Sequence, residues 1–370
     1  MKIAFVYDRV NKWGGAERIL LSLHKIWPKA PLYTAVYDKK KAPWADDFHV
    51  IPSFLNRFPF ASSKHELYAS LTPFAFESFN FDDYDVVLSV TSSDAKGIVT
   101  GSKILHICYC LTPSRYLWSG YREYLKEPGL NGFNLLARTF LTLFSTPMRR
   151  WDYLSSYRVN KYIAISKTVA QRIKVYYKKK VSVIYPPVNT SIFKPSETET
   201  RQDYFLVVGR LVPYKRIDFV ISVFDKLDLK LKVVGRGMDE SRLRRISNNK
   251  NIEFISGDLT DEKLSWYYQN CQALIFAGEE DFGLTSVEAQ SCGRPVIGIG
   301  RGGVKETIIP GRTGEFFRSY NKRELASLLL NFKVNKYPVS VCRQNALRFS
   351  EKKFQEKIYS EVIKYWRQKL

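Results

Sequence analysis

The chain has 370 residues, 45% hydrophobic and 25% charged, which is long for one domain and natural for two with separate cores. Its 58 Lys and Arg against 36 Asp and Glu leave a net charge of +22, a balance that suits nucleic acid, an anionic membrane face or phosphorylated substrates. No apolar run is long enough to span a bilayer, and residues 1–7 are too short for a signal peptide. The five cysteines (Cys108, Cys110, Cys271, Cys292, Cys342) form no CxxC pair, so reduced thiols in a cytoplasm are expected rather than disulfides or zinc.

Residues 3–7 read as a first strand, running through Gly14-Gly15 into a helix from Ala16 to about Lys25. Strand, glycine turn and helix bring backbone close to a phosphate, although the spacing is not GxGxxG. Short apolar runs at 32–36, 50–52, 86–90 and 104–108 predict further strands, and residues 64–79, rich in Phe, Leu and Ala, predict a helix. This alternation is that of a doubly wound α/β domain. The segment from His106 to Trp118 leaves a strand and enters a loop at Pro113. Residues 131–159 predict a helical excursion broken near Pro147, 161–165 a strand, Ser166 the cap of a helix to about Tyr177, and 181–185 another strand. Residues 186–203 have linker composition. They divide the chain into a domain of residues 1–190, joined by a C-terminal helix at 351–370, and a second of 191–350.

A second α/β series follows. Strands are expected at 205–209, 231–234, 252–255, 273–276, 296–299 and 315–317, with Arg210 and Lys215 in the turn after the first. Residues 351–369 carry Phe354, Ile358, Val362 and Trp366 at helical spacing. Between them lies the most informative stretch. Glu280 stands at the carboxyl end of the 273–276 strand, and Glu288 lies inside a helix over 283–292, ended by Gly293 and Pro295. The amides of Phe282, Gly283, Leu284 and Thr285 open that helix and form an anion site. Two carboxylates beside a phosphate-sized nest suit a ligand with hydroxyls at both ends and phosphate between, the layout of a nucleotide sugar. An ordinary strand–loop–helix with solvated acids is the other reading of the same residues.

Taken in order, Gly14-Gly15-Ala-Glu17, Pro113-x-Arg115-Tyr-Leu-Trp118, Tyr185-Pro-Pro-Val-Asn189, Gly209-Arg-Leu with Lys215, Gly235-Arg-Gly237, Glu280-x7-Glu288 and Gly302-Gly303-x-x-Glu306 form a set. With them the chain resembles the retaining, GT-B-fold glycosyltransferases of family 4 over nearly its whole length. Residues 109–118 and 185–189 are similar to mannosyltransferases of bacterial surface-polysaccharide assembly. The resemblance implies two Rossmann-like doubly wound domains facing across a cleft. It implies that Glu280 binds hydroxyls of the donor sugar, that the Phe282 to Thr285 amides hold sugar and phosphate, and that Glu288 binds ribose. Arg210 and Lys215 would neutralise the leaving diphosphate, Gly14 and Gly15 would approach from the other domain, and Leu111, Arg115 and Trp118 would line the acceptor side. The implied donor is a nucleotide sugar, GDP-mannose first, and the acceptor a lipid-linked saccharide at the inner membrane face. No metal cofactor and no nucleic acid are implied. One departure stands out: the family commonly has His where this chain has Leu111, and His106 lies on the preceding strand.

The charge is concentrated. From Arg149 to Lys180 there are ten cations and one acid, Asp152, with Trp151, Tyr153, Tyr157, Tyr162, Tyr176 and Tyr177 interleaved. This pattern, beside apolar residues 133–144, suits an anionic membrane. A basic nucleic-acid-binding protein on a degenerate fold is the alternative. Three motifs are set aside. Gly298 to Gly303 matches GxGxxG too late in the chain for a dinucleotide domain. Asp83-Tyr-Asp85 imitates a metal motif at the entrance of a strand. His24, His49 and His65 are isolated.

Overall fold

Short runs of Val, Ile, Leu and Phe, apolar on both faces, form parallel strands covered by helices on each side. The computed structural model describes residues 1–126, 134–197, 202–257 and 259–369, less the side chains of residues 135–137 and 140. They form two compact units, Met1–Tyr185 with Gln355–Leu370, and Pro186–Phe354.

In the N-terminal unit the strands are β1 (Ile3–Tyr7), β2 (Leu32–Thr34), β3 (Val50–Pro52), β4 (Val86–Thr91), β5 (Leu105–Cys110), β6 (Lys161–Ala164) and β7 (Val181–Val183). They are parallel, in the order β3-β2-β1-β4-β5-β6-β7. The helices are α1 (Gly15–Ile26), α2 (Thr72–Glu77), α3 (Tyr121–Lys126), α4 (Asn134–Ser155) and α5 (Lys167–Tyr177), the last capped by Ser166, whose Oγ accepts from the Val169 amide. Ala4, Val6, Tyr33, Phe76, Phe81, Val87 and Ile98 form one of its cores.

The C-terminal unit repeats the plan. Its strands β8 (Phe205–Val208), β9 (Leu231–Val234), β10 (Ile252–Ile255), β11 (Leu274–Phe276), β12 (Val296–Ile299) and β13 (Gly314–Phe317) run parallel in the order β10-β9-β8-β11-β12-β13. Helices α6 (Ile217–Phe224), α7 (Glu240–Ile246), α8 (Asp261–Asn270), α9 (Leu284–Ser291), α10 (Lys322–Leu330) and α11 (Val339–Leu347) cover it. Helix α12 (Glu351–Lys369) starts here and returns to the first unit, burying Phe354, Ile358 and Val362. Strand order reverses between β1 and β4, and again between β8 and β11. Ligands of such sheets bind outside the carboxyl ends at these switch points.

Three expectations need correction. Residues 64–79 are not one helix: a short turn at His65–Tyr68 precedes α2, because Pro73 lacks an amide and fits only a first helical turn. Pro147 does not break α4. Ser145, Met148, Asp152 and Ser155 recur at helical spacing and are all buried, so packing of that face outweighs the lost backbone bond. Of this excursion and its apolar face, residues 131–133 lie outside the described residues. The supposed linker belongs to the second unit from Pro186 onward, not from 191, and the chain leaves that unit after Phe354, not 350. There Arg343 donates to the carbonyls of Thr190 and Phe193 at 2.8 and 2.7 Å, and Phe193 is buried. Residues 198–201 lie outside the described residues. No described helix is long and apolar enough to cross a membrane.

Candidate active site

The C-terminal unit gathers its polar residues at the switch point between β8 and β11. After β8 the chain turns through Gly209 and Arg210 to a short helical turn at Pro213–Lys215. After β11 it runs through Glu279, Glu280 and Asp281 to Gly283, whose φ of 94° opens α9 without a side-chain cap. Lys215 Nζ and Glu280 Oε1 form an ion pair between the two loops, with side chains only 14% and 21% exposed. Arg210 is exposed and donates from its guanidinium to Tyr214 Oη at 2.8 Å. Among the described residues the hydroxyl of Thr285, in the first turn of α9, is buried without a hydrogen-bond partner.

Close backbone approach holds these loops in place. A Cβ at Gly235 would lie 1.9 Å from the Gly209 carbonyl oxygen, and one at Gly237 would lie 2.1 Å from that of Leu211. On the other side, the Gly303 amide donates to the Glu280 carbonyl at 2.8 Å, and a Cβ at Gly303 would lie 2.3 Å from the Asp281 oxygen. The Gly-Arg-Gly and Gly-Gly motifs therefore work as steric permits for the two loops that carry Lys215 and Glu280.

Glu288 lies one turn further into α9. It is 5% exposed, and its Oε2 accepts from the Tyr268 hydroxyl of α8 at 2.8 Å. Tyr268 was not singled out from the sequence, and an aromatic in an amphipathic helix carries no mark of such a role. Tyr320, in the loop between β13 and α10, was not singled out either. Its hydroxyl donates to the Ala277 carbonyl at 3.0 Å, and Arg216 lies 4.0 Å over its ring.

In the N-terminal unit, Gly14 and Gly15 start α1 at the carboxyl end of β1. Buried Glu17 sits in the first turn there and accepts from Tyr7 Oη at 2.5 Å. A carboxylate already occupies the positive end of this helix, so the site differs electrostatically from the start of α9. Leu111 follows β5, its amide bonded to the Thr91 carbonyl at 2.8 Å. Arg115 sits in the next turn, its carbonyl accepting from the Gly120 amide at 2.8 Å. Trp118 is engaged internally: its indole N–H donates to Asp152 Oδ2 at 2.7 Å, and its ring stacks on Tyr176 at 4.9 Å. His106 is fully buried, with Ser89 Oγ 2.9 Å from Nε2 and the Arg158 carbonyl 3.3 Å from Nδ1. It is a core residue bonded within its own unit, and the Leu111 position keeps no imidazole.

A buried charge network lies behind this edge. Lys96, 1% exposed, pairs with Asp152, which is 0% exposed and also accepts from Ser114 Oγ at 3.0 Å. Burial works against the Lys96 charge, but Asp152 and Asp94 together outweigh it and leave the Lys96 pKa raised. One signal was available: Asp152 is the lone acid of the basic stretch. Asp94, next to this pair, is pushed up to about 7 by burial, against the pull of Lys96. Among the described residues no group of three or more His, Cys, Asp or Glu side chains is arranged to hold a metal ion.

Residues 188–349 match the family of glycosyl transferases group 1. An uncharacterised glycosyltransferase of Methanocaldococcus jannaschii is 28% identical over 211 residues, 56% of this chain and 59% of that protein. A GDP-mannose-dependent alpha-mannosyltransferase of Mycolicibacterium smegmatis is 32% identical over 29% of this chain and 28% of its own length. The chain thus spans 59% or less of these curated relatives. The crystal structure of Anabaena HepE in complex with UDP and glucose superposes with a TM-score of 0.71 at 18% identity, covering 98% of this chain and 99% of that one. The fold is GT-B, with two Rossmann-like domains, and residues 188–349 are similar to the group 1 glycosyl transferases.

Proposed function

We propose that the chain is a retaining hexosyltransferase of family 4, moving mannose from GDP-mannose to a lipid-linked saccharide during surface polysaccharide or glycolipid synthesis. The observation that carries this reading is the Lys215–Glu280 pair, held at the C-terminal switch point beside the open start of α9. In this reading Lys215 and Arg210 hold the leaving diphosphate, and the amides of Phe282, Gly283, Leu284 and Thr285 hold sugar and phosphate oxygens. Glu280 orients the sugar hydroxyls and Glu288 the ribose. Breaking a glycosyl–phosphate bond builds negative charge on the departing phosphate, and fixed cations and N–H groups there lower the barrier. The leaving phosphate accepts the acceptor's proton, and the protein cations serve where other transferases use a metal. GDP-mannose is favoured by the 109–118 and 185–189 motifs and by the donor named for the Mycolicibacterium relative. The cations of the Arg149 to Lys180 stretch suit an anionic membrane face, each worth about 1 kcal/mol near such a surface.

Two measurements test the reading. In a thermal-shift panel GDP-mannose should raise the melting temperature more than UDP-sugars do, and a UDP preference would overturn the donor while leaving the transferase. In a turnover assay, Lys215→Ala should lower kcat by roughly 10²–10³-fold, and EDTA should leave the wild type active. Normal turnover by Lys215→Ala, or loss of wild-type activity in EDTA, would overturn the leaving-group assignment.

A further inference from the structure

The segment between β3 and the end of α2 exposes large apolar side chains to an unusual degree. Phe60, Leu67 and Phe74 are 71%, 60% and 61% exposed, and Phe54 and Phe58 are also exposed. The rings form a chain, with Phe54 and Phe58 centroids 6.0 Å apart and Phe58 and Tyr68 5.4 Å apart. A patch of this kind on a folded surface marks an interaction.

The segment is anchored from beneath. Leu55, Ala61 and Ala75 are buried with Val36, and Tyr68 and Leu71 pack against them. Tyr68 Oη donates to the Pro59 carbonyl at 2.9 Å, and Asn11 Nδ2 donates to that of Ser62 at 2.8 Å. Phe60 itself holds a φ of 58°, a left-handed conformation that a bulky residue adopts only when its surroundings impose it. Amides of Ser63 and Lys64 close on its carbonyl at 3.1 and 2.7 Å. The phenyl group is thus presented outward on a fixed turn.

The charge around the patch is one-sided. Arg57 and Lys64 lie on the segment, and Arg9 and Lys12 act on His65, whose pKa burial and these two cations bring down to about 3. Between residues 54 and 74 the only acid is Glu66, and it lies 3.0 Å from His65 Nε2. Phenyl and leucyl tips on a segment that also carries cations match a surface whose interior is acyl chain and whose rim is anionic. The basic stretch at 149–180 also exposes Leu154 and Tyr157, at 54% and 57%, but Tyr162 and Tyr177 are buried there and Tyr176 stacks on Trp118.

We propose that residues 54–74 insert Phe60, Leu67 and Phe74 into the headgroup–acyl boundary of an anionic phospholipid bilayer, with Arg57 and Lys64 on the headgroups. The proposal rests on the membrane part of the function above and names the surface that performs it. The test is co-sedimentation of the full chain with phosphatidylcholine vesicles, with and without phosphatidylserine. Wild type should bind the anionic vesicles. Phe60→Asn with Leu67→Gln should weaken that binding by about tenfold or more, Asn being at ease in the left-handed turn. Phe74→Gln is an independent variant on α2, and an unchanged melting temperature and donor-induced shift report that each variant is folded. Lys178→Ala with Lys179→Ala should reduce binding less. If folded Phe60→Asn/Leu67→Gln and Phe74→Gln proteins bind like wild type, this surface is wrong and membrane docking stands. If wild type binds neither vesicle, docking and this surface fall together, while the donor shift still judges the transferase. Self-association dispersed by Phe60→Asn, without vesicle binding, would make a second copy the occupant and overturn the proposal.

Discussion

The two units share a strand order yet use their carboxyl edges in opposite ways. At the C-terminal edge glycines let backbone segments from neighbouring loops pack at distances no side chain allows. Their ion pair, Lys215–Glu280, sits near solvent where a ligand can reach it. At the N-terminal edge the ion pair Lys96–Asp152 points inward and is sealed, while phenylalanines face outward. A pair with access to a ligand can be spent on chemistry, whereas a sealed pair can only hold structure.

Removing one cation from each pair tests that contrast and has the largest expected effect. Lys96→Met leaves Asp152 buried with only neutral donors, Ser114 and Trp118 among them. Breaking a buried pair from one side costs about 3–5 kcal/mol, to be read by denaturant unfolding. Lys215→Ala should cost less stability than Lys96→Met, because its pair keeps some contact with solvent where that of Lys96 has none, and its main cost should appear in turnover. Equal losses of stability in both variants would erase the distinction between the two edges.

A pH titration of stability sharpens the N-terminal half of the comparison. Burial brings His106 down to about 3, so the unfolded chain binds a proton that the folded one refuses, and stability falls as pH drops from 6.5 toward 3. Burial brings Asp94 up to about 7, so the folded chain keeps a proton that the unfolded one releases, and stability falls as pH rises from about 4 to 7. Each slope approaches about 1.4 kcal/mol per pH unit, and between pH 4 and 6.5 the two oppose each other. His65, brought down to about 3 as well, adds to the acid-side loss, so Asp94→Asn should steepen that loss and His106→Gln should flatten it. Chemical denaturation at pH 4.5 and 6.5 reads both, and parallel shifts of the two variants at both values would contradict the assignment.

Much of the C-terminal site was legible in the sequence because it is written locally. Gly209 to Lys215 and Glu280 to Glu288 each fall within a few residues, so strand ends and a helix start could be placed directly. That Lys215 touches Glu280 was not legible, since the contact depends on β8 and β11 being neighbours across the switch point. The N-terminal edge hid more. Lys96 and Asp152 are 56 residues apart and look like surface charges, and only their burial reveals the pair. Pro147 misled for a related reason: local propensity says break, and the buried face of α4 says continue.

The smallest expected effect concerns Tyr268, which ties α8 to Glu288 of α9. Its ring is fully buried, edge-on to Phe193 at 5.8 Å, while its hydroxyl holds Glu288 Oε2. Tyr268→Phe keeps the ring contact and deletes one hydrogen bond to a carboxylate, for a stability cost of about 1–2 kcal/mol. If Glu288 binds ribose, the freed carboxylate loses its orientation toward a group that is bound equally in ground and transition states. The donor KM should then rise by about tenfold while kcat changes little. Calorimetric titration with nucleotide alone separates the two roles. A purely structural tyrosine would lower stability and leave nucleotide affinity where it was, and Glu288 would then belong to the core rather than to the donor site.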